Sequence, residues 1–345
     1  MKDKEKKVKI NFDKCQSCGG KLKFSPEIVN LKCDSCGVEV DFEKSYDVQK
    51  HDKESFITDL KQNKGSTSST IKCENCGAMI KSGQYEVLSC TYCGSQLSVD
   101  NNAGKLPDGV VPFAFDSSEA IKRFKDGVKK KLFVESEFKK QLPHQKIDGV
   151  YVPAFAFDAD STTQYSGIIE ELEHGESRSR RISGTIKCNH TNVLVKASLH
   201  MSDGDLSSIE PFDVDDAYKY DKNFIKGYKV ENLQKDAVLC SSEARDKFKE
   251  EIESEIEDKH NENNIDNLKM NTTYTNEKYS YYLLPVYKFE YTYKKKTRRA
   301  YLNGQTGAVG GDLPTSALKI GLAIGIGLLA LVGIGILFFK LARGF

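Results

Sequence analysis

Four Cys-x-x-Cys-Gly knuckles within the first 100 residues constrain this chain more than any other feature. They read Cys15-Gln-Ser-Cys18-Gly, Cys33-Asp-Ser-Cys36-Gly, Cys73-Glu-Asn-Cys76-Gly and Cys90-Thr-Tyr-Cys93-Gly. A Cys-x-x-Cys pair on a tight turn delivers two thiolates to one point, and pairs from two hairpins complete a tetrahedron of soft ligands. Gly19, Gly37, Gly77 and Gly94 follow the pairs and supply the positive φ that lets backbone amides fold over the sulfurs. Gaps of 14 and 13 residues separate the pairs of each module, slightly under the usual window of roughly 15–20 but enough for a short hairpin. A redox function is the poorer reading, because a thioredoxin-like site carries one such pair beside a βαβ unit.

The spacing therefore predicts two zinc ribbons and two structural Zn2+ ions per chain. Cys15, Cys18, Cys33 and Cys36 would hold one ion, and Cys73, Cys76, Cys90 and Cys93 the other. Each module is too small for a self-sufficient core, so metal supplies its folding energy. Four thiolates leave no open coordination position, and no catalytic zinc is implied. Cys188 and Cys240 stand outside the knuckles and read as buried or incidental thiols. The six histidines show no ligand spacing with one another.

Thiols remain available to metal in a reducing compartment, and Met1–Ile10 contains no apolar stretch of the export kind. The ribbon end is expected to be cytoplasmic. Lys+Arg (51) and Asp+Glu (50) nearly cancel, so no global excess of positive charge marks a nucleic-acid binder.

The expected organisation is ribbon 1 over 1–42, a charged linker over 43–70 ending in Gly65-Ser-Thr-Ser-Ser-Thr70, ribbon 2 over 71–100, and an α+β domain over 108–314. In that domain Val110–Phe115, Tyr151–Phe157 and Leu283–Tyr293 are β-rich apolar runs, each with a proline near its start. Tyr287, Phe289, Tyr291 and Tyr293 alternate with Val286, Lys288, Glu290 and Thr292, so an aromatic face opposes a largely polar one. Lys294-Lys-Lys296 turns into a second strand ending at Tyr301-Leu302, followed by turns at Asn303-Gly304 and Thr306-Gly307. One helix is capped at Asp116 with Ile121, Phe124, Val128 and Leu132 as its stripe. A second, capped at Ser241 or Ser242, carries Ala244, Phe248, Ile252 and Ile256.

Residues 317–341 read as a transmembrane tail anchor. Ile320–Phe339 is an unbroken run of 20 apolar or glycine residues, about 30 Å as a helix, which matches the hydrocarbon core of a bilayer. Ala317, Gly321 and Gly325 form a small-residue face suited to helix association. Lys319, Lys340 and Arg343 flank both ends, so charge alone leaves orientation open. The expectation is a single-pass protein of the cell membrane with the bulk of the chain in the cytoplasm.

No phosphate loop, nucleophile elbow, His-Glu-x-x-His or dinucleotide fingerprint occurs, and an enzyme is not expected. Taken with the knuckles, Val111-Pro-Phe113, Gly149-Val-Tyr-Val-Pro153, Phe157-Asp-Ala-Asp160, Leu284-Pro-Val-Tyr287, Asn303-Gly-Gln-Thr-Gly307 and the terminal apolar run carry a resemblance. The chain resembles bacterial, mainly Gram-positive, membrane proteins described as transcription-factor-IIB-type zinc-ribbon-containing. These are often labelled primosomal helicase or phage replisome proteins on their ribbons alone; the missing phosphate loop argues against a helicase. Some resemble the zinc-ribbon component of a membrane-stress operon, which implies recruitment of a phage-shock-type protein to the bilayer. A second full ribbon departs from the commoner pattern.

Two functions fit these features. One is a membrane-anchored adaptor that scaffolds membrane or membrane-recruited proteins in envelope stress. The other is a membrane-tethered nucleic-acid binder using Lys21, Lys23, Lys32, Lys72 and Lys81.

Overall fold

The structure is a computed structural model of the 345-residue chain. It describes residues 14–55, 70–72, 78–81, 106–141, 146–173, 176–261 and 264–343. The chain is a mixed α+β protein, as its alternating periodicities predict.

Strands β1 (Leu22–Ser25), β2 (Asn30–Cys33) and β3 (Glu39–Val40) form a small antiparallel sheet that carries the first knuckles. Residues 43–55, read from sequence as linker, run along the larger domain and end in a 3-10 turn at Lys53–Ser55. The Lys219 amide donates to the Ser45 carbonyl (2.6 Å), and Ser280 Oγ donates to the Gln49 carbonyl (2.8 Å). Strand β4 (His51–Asp52) then pairs with a long domain strand. The charges that mimic a solvated linker are engaged: Lys50 pairs with Asp158, His51 with Asp108 (2.7 Å) and Lys53 with Glu277 (2.6 Å). Strands β5 (Thr70–Lys72) and β6 (Met79–Lys81) form a separate hairpin.

Among the described residues the main sheet has nine strands. After β7 (Gly109–Val110) come helices α1 (Ser117–Lys130) and α2 (Ser136–Gln141). Then follow β8 (Lys146–Glu173), β9 (Glu176–Lys196), α3 (Asp203–Ser207), β10 (Tyr218–Lys219), β11 (Lys229–Val230) and α4 (Ala237–His260). The domain closes with β12 (Asp266–Tyr293), β13 (Lys296–Asn303) and β14 (Val309–Gly311). Helix α5 (Ala317–Arg343) ends the described chain.

Strands β8 and β12 are 28 residues each, against a usual ~5–6. Antiparallel to one another, they form the spine of the sheet. The outer edge of β12 pairs in turn with β4, β7 and β13; that of β8 pairs with β11 and then β9. Pro153 falls between the last β11 partner, Tyr151, and the first β9 partner, Ala154. Pro285 likewise falls between Leu283, paired to β7, and Val286, paired to β13. Each proline thus occupies a handover between neighbours, where its missing donor costs no ladder bond. Such strands need relief from accumulated twist. The register shifts at Phe157/Ala159, Thr275/Lys278 and Asp266/Lys269 lie beside Asn192, Asn276 and Asn267, all near φ +53 to +54. Asparagine tolerates that left-handed geometry best among residues with a Cβ, and each shift bends the ribbon.

On one face of β12, Tyr287, Phe289 and Tyr291 are buried; Phe289 stacks on Phe124 of α1 at 4.0 Å. Leu284 and Val286 on the other face join a second core with Val111, Val152 and Tyr301. Toward the far end, α4 covers the three-stranded ribbon with Ile252 and Ile256 against Tyr165, Ile169 and Ile182.

Asp116 caps α1 by accepting from the Glu119 amide (2.8 Å), and Phe124 and Val128 are buried as expected. Leu132 lies beyond the helix end and is 77% exposed. Helix α4 is capped five to six residues before the predicted position, at Asp236, which accepts from the Leu239 amide. The extra turn adds Cys240, one helical turn before Ala244, to the buried stripe. Lys294 and Lys295, at φ 49 and 62, make the tight β12–β13 turn.

Glu277 receives both Lys53 (2.6 Å) and Arg245 (2.8 Å), tying segment 43–55 to β12 and α4. Burial opposes its ionisation, but hydrogen bonds from Arg245 and Lys53 outweigh it and hold the carboxyl below its ordinary 4.5. A folded-state pKa below the unfolded value means the stabilisation is present above ~4.5 and is lost as pH falls through the folded value. Hydrogen exchange of residues 43–55 is therefore expected to accelerate in that acid window. Glu277→Gln should remove this acid step at a cost on the order of 1 kcal/mol, since both cationic partners are part-exposed.

Residues 317–341, expected to cross a bilayer, lie within α5. Among the described residues no helix is long and apolar enough to cross a membrane. The side chains of residues 330 and 334–345, which carry the rest of the apolar run, lie outside those described.

Candidate metal centre

The first two knuckles arise at the ends of a short hairpin. Cys15 and Cys18 precede β1, while Cys33 ends β2 and Cys36 lies in the turn before β3. Antiparallel pairing of Leu22 with Cys33 brings the turns together. The Cys15 amide donates to the Gly20 carbonyl (2.8 Å) and the Gly19 amide to the Cys15 carbonyl (2.8 Å). The second knuckle repeats the device: Cys33 donates to Val38 (2.9 Å), and Gly37 to Cys33 (3.0 Å). Gly19 and Gly37 take φ +73 and +75, the conformation for which the sequence reserves glycine. Gly20 answers a different need, since a Cβ there would lie 2.6 Å from Ser35 Oγ and 3.1 Å from Cys33 Sγ.

The sulfurs converge. Cys15 Sγ lies 3.6 Å from Cys36 Sγ and Cys18 Sγ 3.5 Å from Cys33 Sγ; all four fall within 4.8 Å of one another. A tetrahedron with metal–sulfur bonds of ~2.3 Å has edges of about 3.8 Å. The geometry therefore fits one ion bound by four sulfurs, and the cluster can hold a metal. Backbone amides of Cys18 and Ser17 pull the Cys15 thiol down to about 6, and those of Cys36 and Ser35 lower Cys33. The Gly20 amide acts in the same sense on Cys18, but the Cys36 and Cys33 sulfurs outweigh it and push Cys18 up to about 12. Amide dipoles favour thiolates, while crowding of like charges returns a proton to one sulfur. A divalent cation resolves that conflict.

The ribbon is docked on the β domain. Leu22, Phe24, Leu31 and Phe42 are buried, and Phe24 and Phe42 meet Phe224 at 5.4 and 5.0 Å. The Phe24 amide donates to the Lys226 carbonyl (3.0 Å). Sequence reasoning grouped these four cysteines, which converge here, but missed this seat. Phe24 and Phe42, apolar residues in a module with almost no core, were the available signal.

Cys73, Cys76, Cys90 and Cys93 lie outside the described residues; hairpin β5–β6 flanks the first of these pairs. Cys240 is buried and its thiol is pushed by burial up to about 12, the behaviour of an inert core thiol. Cys188 is raised in the same way.

One further arrangement has the outline of a nucleophile triad: Ser161 Oγ lies 2.9 Å from His190 Nε2, and His190 Nδ1 lies 2.6 Å from Glu251. Its exposure is inverted. Ser161 is 2% exposed beneath α4, whereas the Glu251 side chain is 50% exposed. A reactive serine needs the opposite access, so these residues pin α4 to the sheet.

The chain is 26% identical over 317 residues to a protein of Bacillus subtilis strain 168 described as the uncharacterized protein YdjG; the alignment covers 89% of this chain and 91% of that one. No protein-family model matches the chain, and no solved structure matches it.

Proposed function

We propose that this chain is a membrane-anchored adaptor whose metal-stiffened ribbons present a protein-binding surface at the cytoplasmic face of the cell membrane. The carrying observation is the closed four-sulfur cluster seated on the β domain. Such a cluster offers a substrate no coordination position and gives a small hairpin module a rigid shape. Zinc is the ion that an all-thiolate tetrahedron favours. Cys73, Cys76, Cys90 and Cys93 repeat the motif and are assigned a second zinc.

The membrane reading draws on α5. Leu318, Leu322, Leu329 and Leu331 are 80, 62, 72 and 67% exposed on this helix, an apolar surface that water disfavours and lipid solvates. The sequence run continues without a charge to Phe339. A non-enzymatic role accords with the buried serine of the triad-like cluster. The nucleic-acid alternative has less support, because Lys23 is already paired with Asp34 at 2.6 Å. Membrane stress, with a phage-shock-type partner, is the setting implied by the family resemblance.

The test is affinity purification of the full chain from detergent-solubilised membranes, beside a Cys15→Ser/Cys18→Ser chain. The adaptor reading expects both chains in the membrane fraction and a cytosolic partner held only by the first. An unchanged set of co-purifying proteins would remove the ribbons from recruitment.

A further inference from the structure

The foot of α5 is built from a distant part of the chain. Val134 bridges to Thr315, the Ser316 amide donates to the Phe133 carbonyl (2.8 Å), and Lys319 Nζ donates to the Val134 carbonyl (2.9 Å). The loop between α1 and α2 is thereby fixed beside the first turn of the helix. On that loop Leu132 and Phe133 stand 77 and 44% exposed, although apolar side chains with a core to enter normally take it. Lysines surround them. Lys129, Lys130 and Lys131 precede the pair, and Lys139 donates to the Lys129 carbonyl (2.8 Å), bringing α2 alongside. Desolvation, with the nearby Lys319 charge, lowers the pKa of Lys139, so these two ammonium groups lie close together. Lys140 is exposed on the same helix. On the acidic side stand Asp126, paired with Lys129 at 3.4 Å, Glu137, and Glu135, the last held at 2.5 Å by Lys294. Complementing the α1 dipole explains lysines in its last turn. It does not explain two exposed apolar side chains among them.

We propose that residues 129–140 and the first turn of α5 form a collar that seats on anionic lipid headgroups, with Leu132 and Phe133 entering the interface. This rests on the reading of α5 as a membrane anchor and adds to it a lipid preference and a fixed tilt of the β domain against the bilayer. Lysines draw the loop to a negative surface, and the apolar pair holds it at the headgroup boundary. Continuity with α5 selects lipid as the occupant, because the loop lies beside the turn from which the apolar run begins.

The chain contains no tryptophan, so Leu132→Trp provides a single fluorophore. The full-length variant is reconstituted in vesicles of phosphatidylcholine, with and without phosphatidylglycerol, and flotation records anchoring. The expected result is flotation in both, with blue-shifted emission and quenching by brominated lipid when phosphatidylglycerol is present. Adding Lys129→Glu, Lys130→Glu and Lys131→Glu, all at exposed sites, should return quenching to the phosphatidylcholine level without loss of flotation. Flotation with a water-exposed Trp in both lipids would overturn the collar alone. Absence of flotation would overturn the anchor and the collar together.

Discussion

Cys15→Ser is expected to release the metal of the first ribbon and unfold residues 14–42 while the nine-stranded domain stays folded. The module buries Leu22, Phe24, Leu31 and Phe42, a core too small to offset the entropy of ordering its chain. On the proposed function, metal makes up the difference, at an apparent ~10–16 kcal/mol for structural zinc in comparable small modules. Serine removes a soft thiolate that is 3% exposed and held by the amides of Cys18 and Ser17. Affinity should fall by at least the ~10–100-fold that loss of an outer-shell partner causes. Element-specific mass spectrometry should record one fewer zinc ion per chain, and hydrogen exchange should lose protection in β1 and β2 but keep it in β8 and β12. Retained zinc with unchanged protection would show that packing, not metal, holds the ribbon.

Phe224→Ala separates docking from metal binding. Phe224 is fully buried and meets Phe24, Phe42 and Tyr218 at 5.4, 5.0 and 5.1 Å. Truncation of such a ring costs about 3–5 kcal/mol, since the transfer loss and the residual cavity add. That loss falls on the seat of the ribbon, not on its sulfurs. The expected outcome is bound zinc, faster exchange and new protease cleavage around residues 42–50, and a lower melting temperature. The same truncation at Tyr46, 64% exposed, should cost far less. Loss of zinc in Phe224→Ala would mean that docking and coordination fold as one unit.

What the sequence showed depended on how local the chemistry was. The knuckles were legible because a tight turn over a metal needs cysteine and glycine at fixed offsets, and Cys15, Cys18, Gly19, Cys33, Cys36 and Gly37 hold the expected geometry. The Asp116 cap and the Tyr287–Tyr293 alternation were equally local. Strand length was hidden, because the buried face of the far half of β8 carries Ser161, Thr163 and Gly167 where a core strand would place apolar residues. Asparagine favours turns, yet Asn192, Asn267 and Asn276 sit at bulges that let a strand continue. Residues 43–55 looked like linker because their partners, Asp108, Asp158 and Glu277, lie far away in sequence. The Asp236 cap was missed since Ser241 and Ser242 offered a nearer candidate for the same role.

Zinc-edge X-ray absorption on the purified full chain decides whether the ribbons hold closed four-sulfur centres. Four sulfur atoms at about 2.3 Å and no light-atom ligand are expected around the ion. A mixed shell with oxygen or nitrogen, or chain that purifies folded without zinc, would contradict a closed structural centre and the adaptor role built on it.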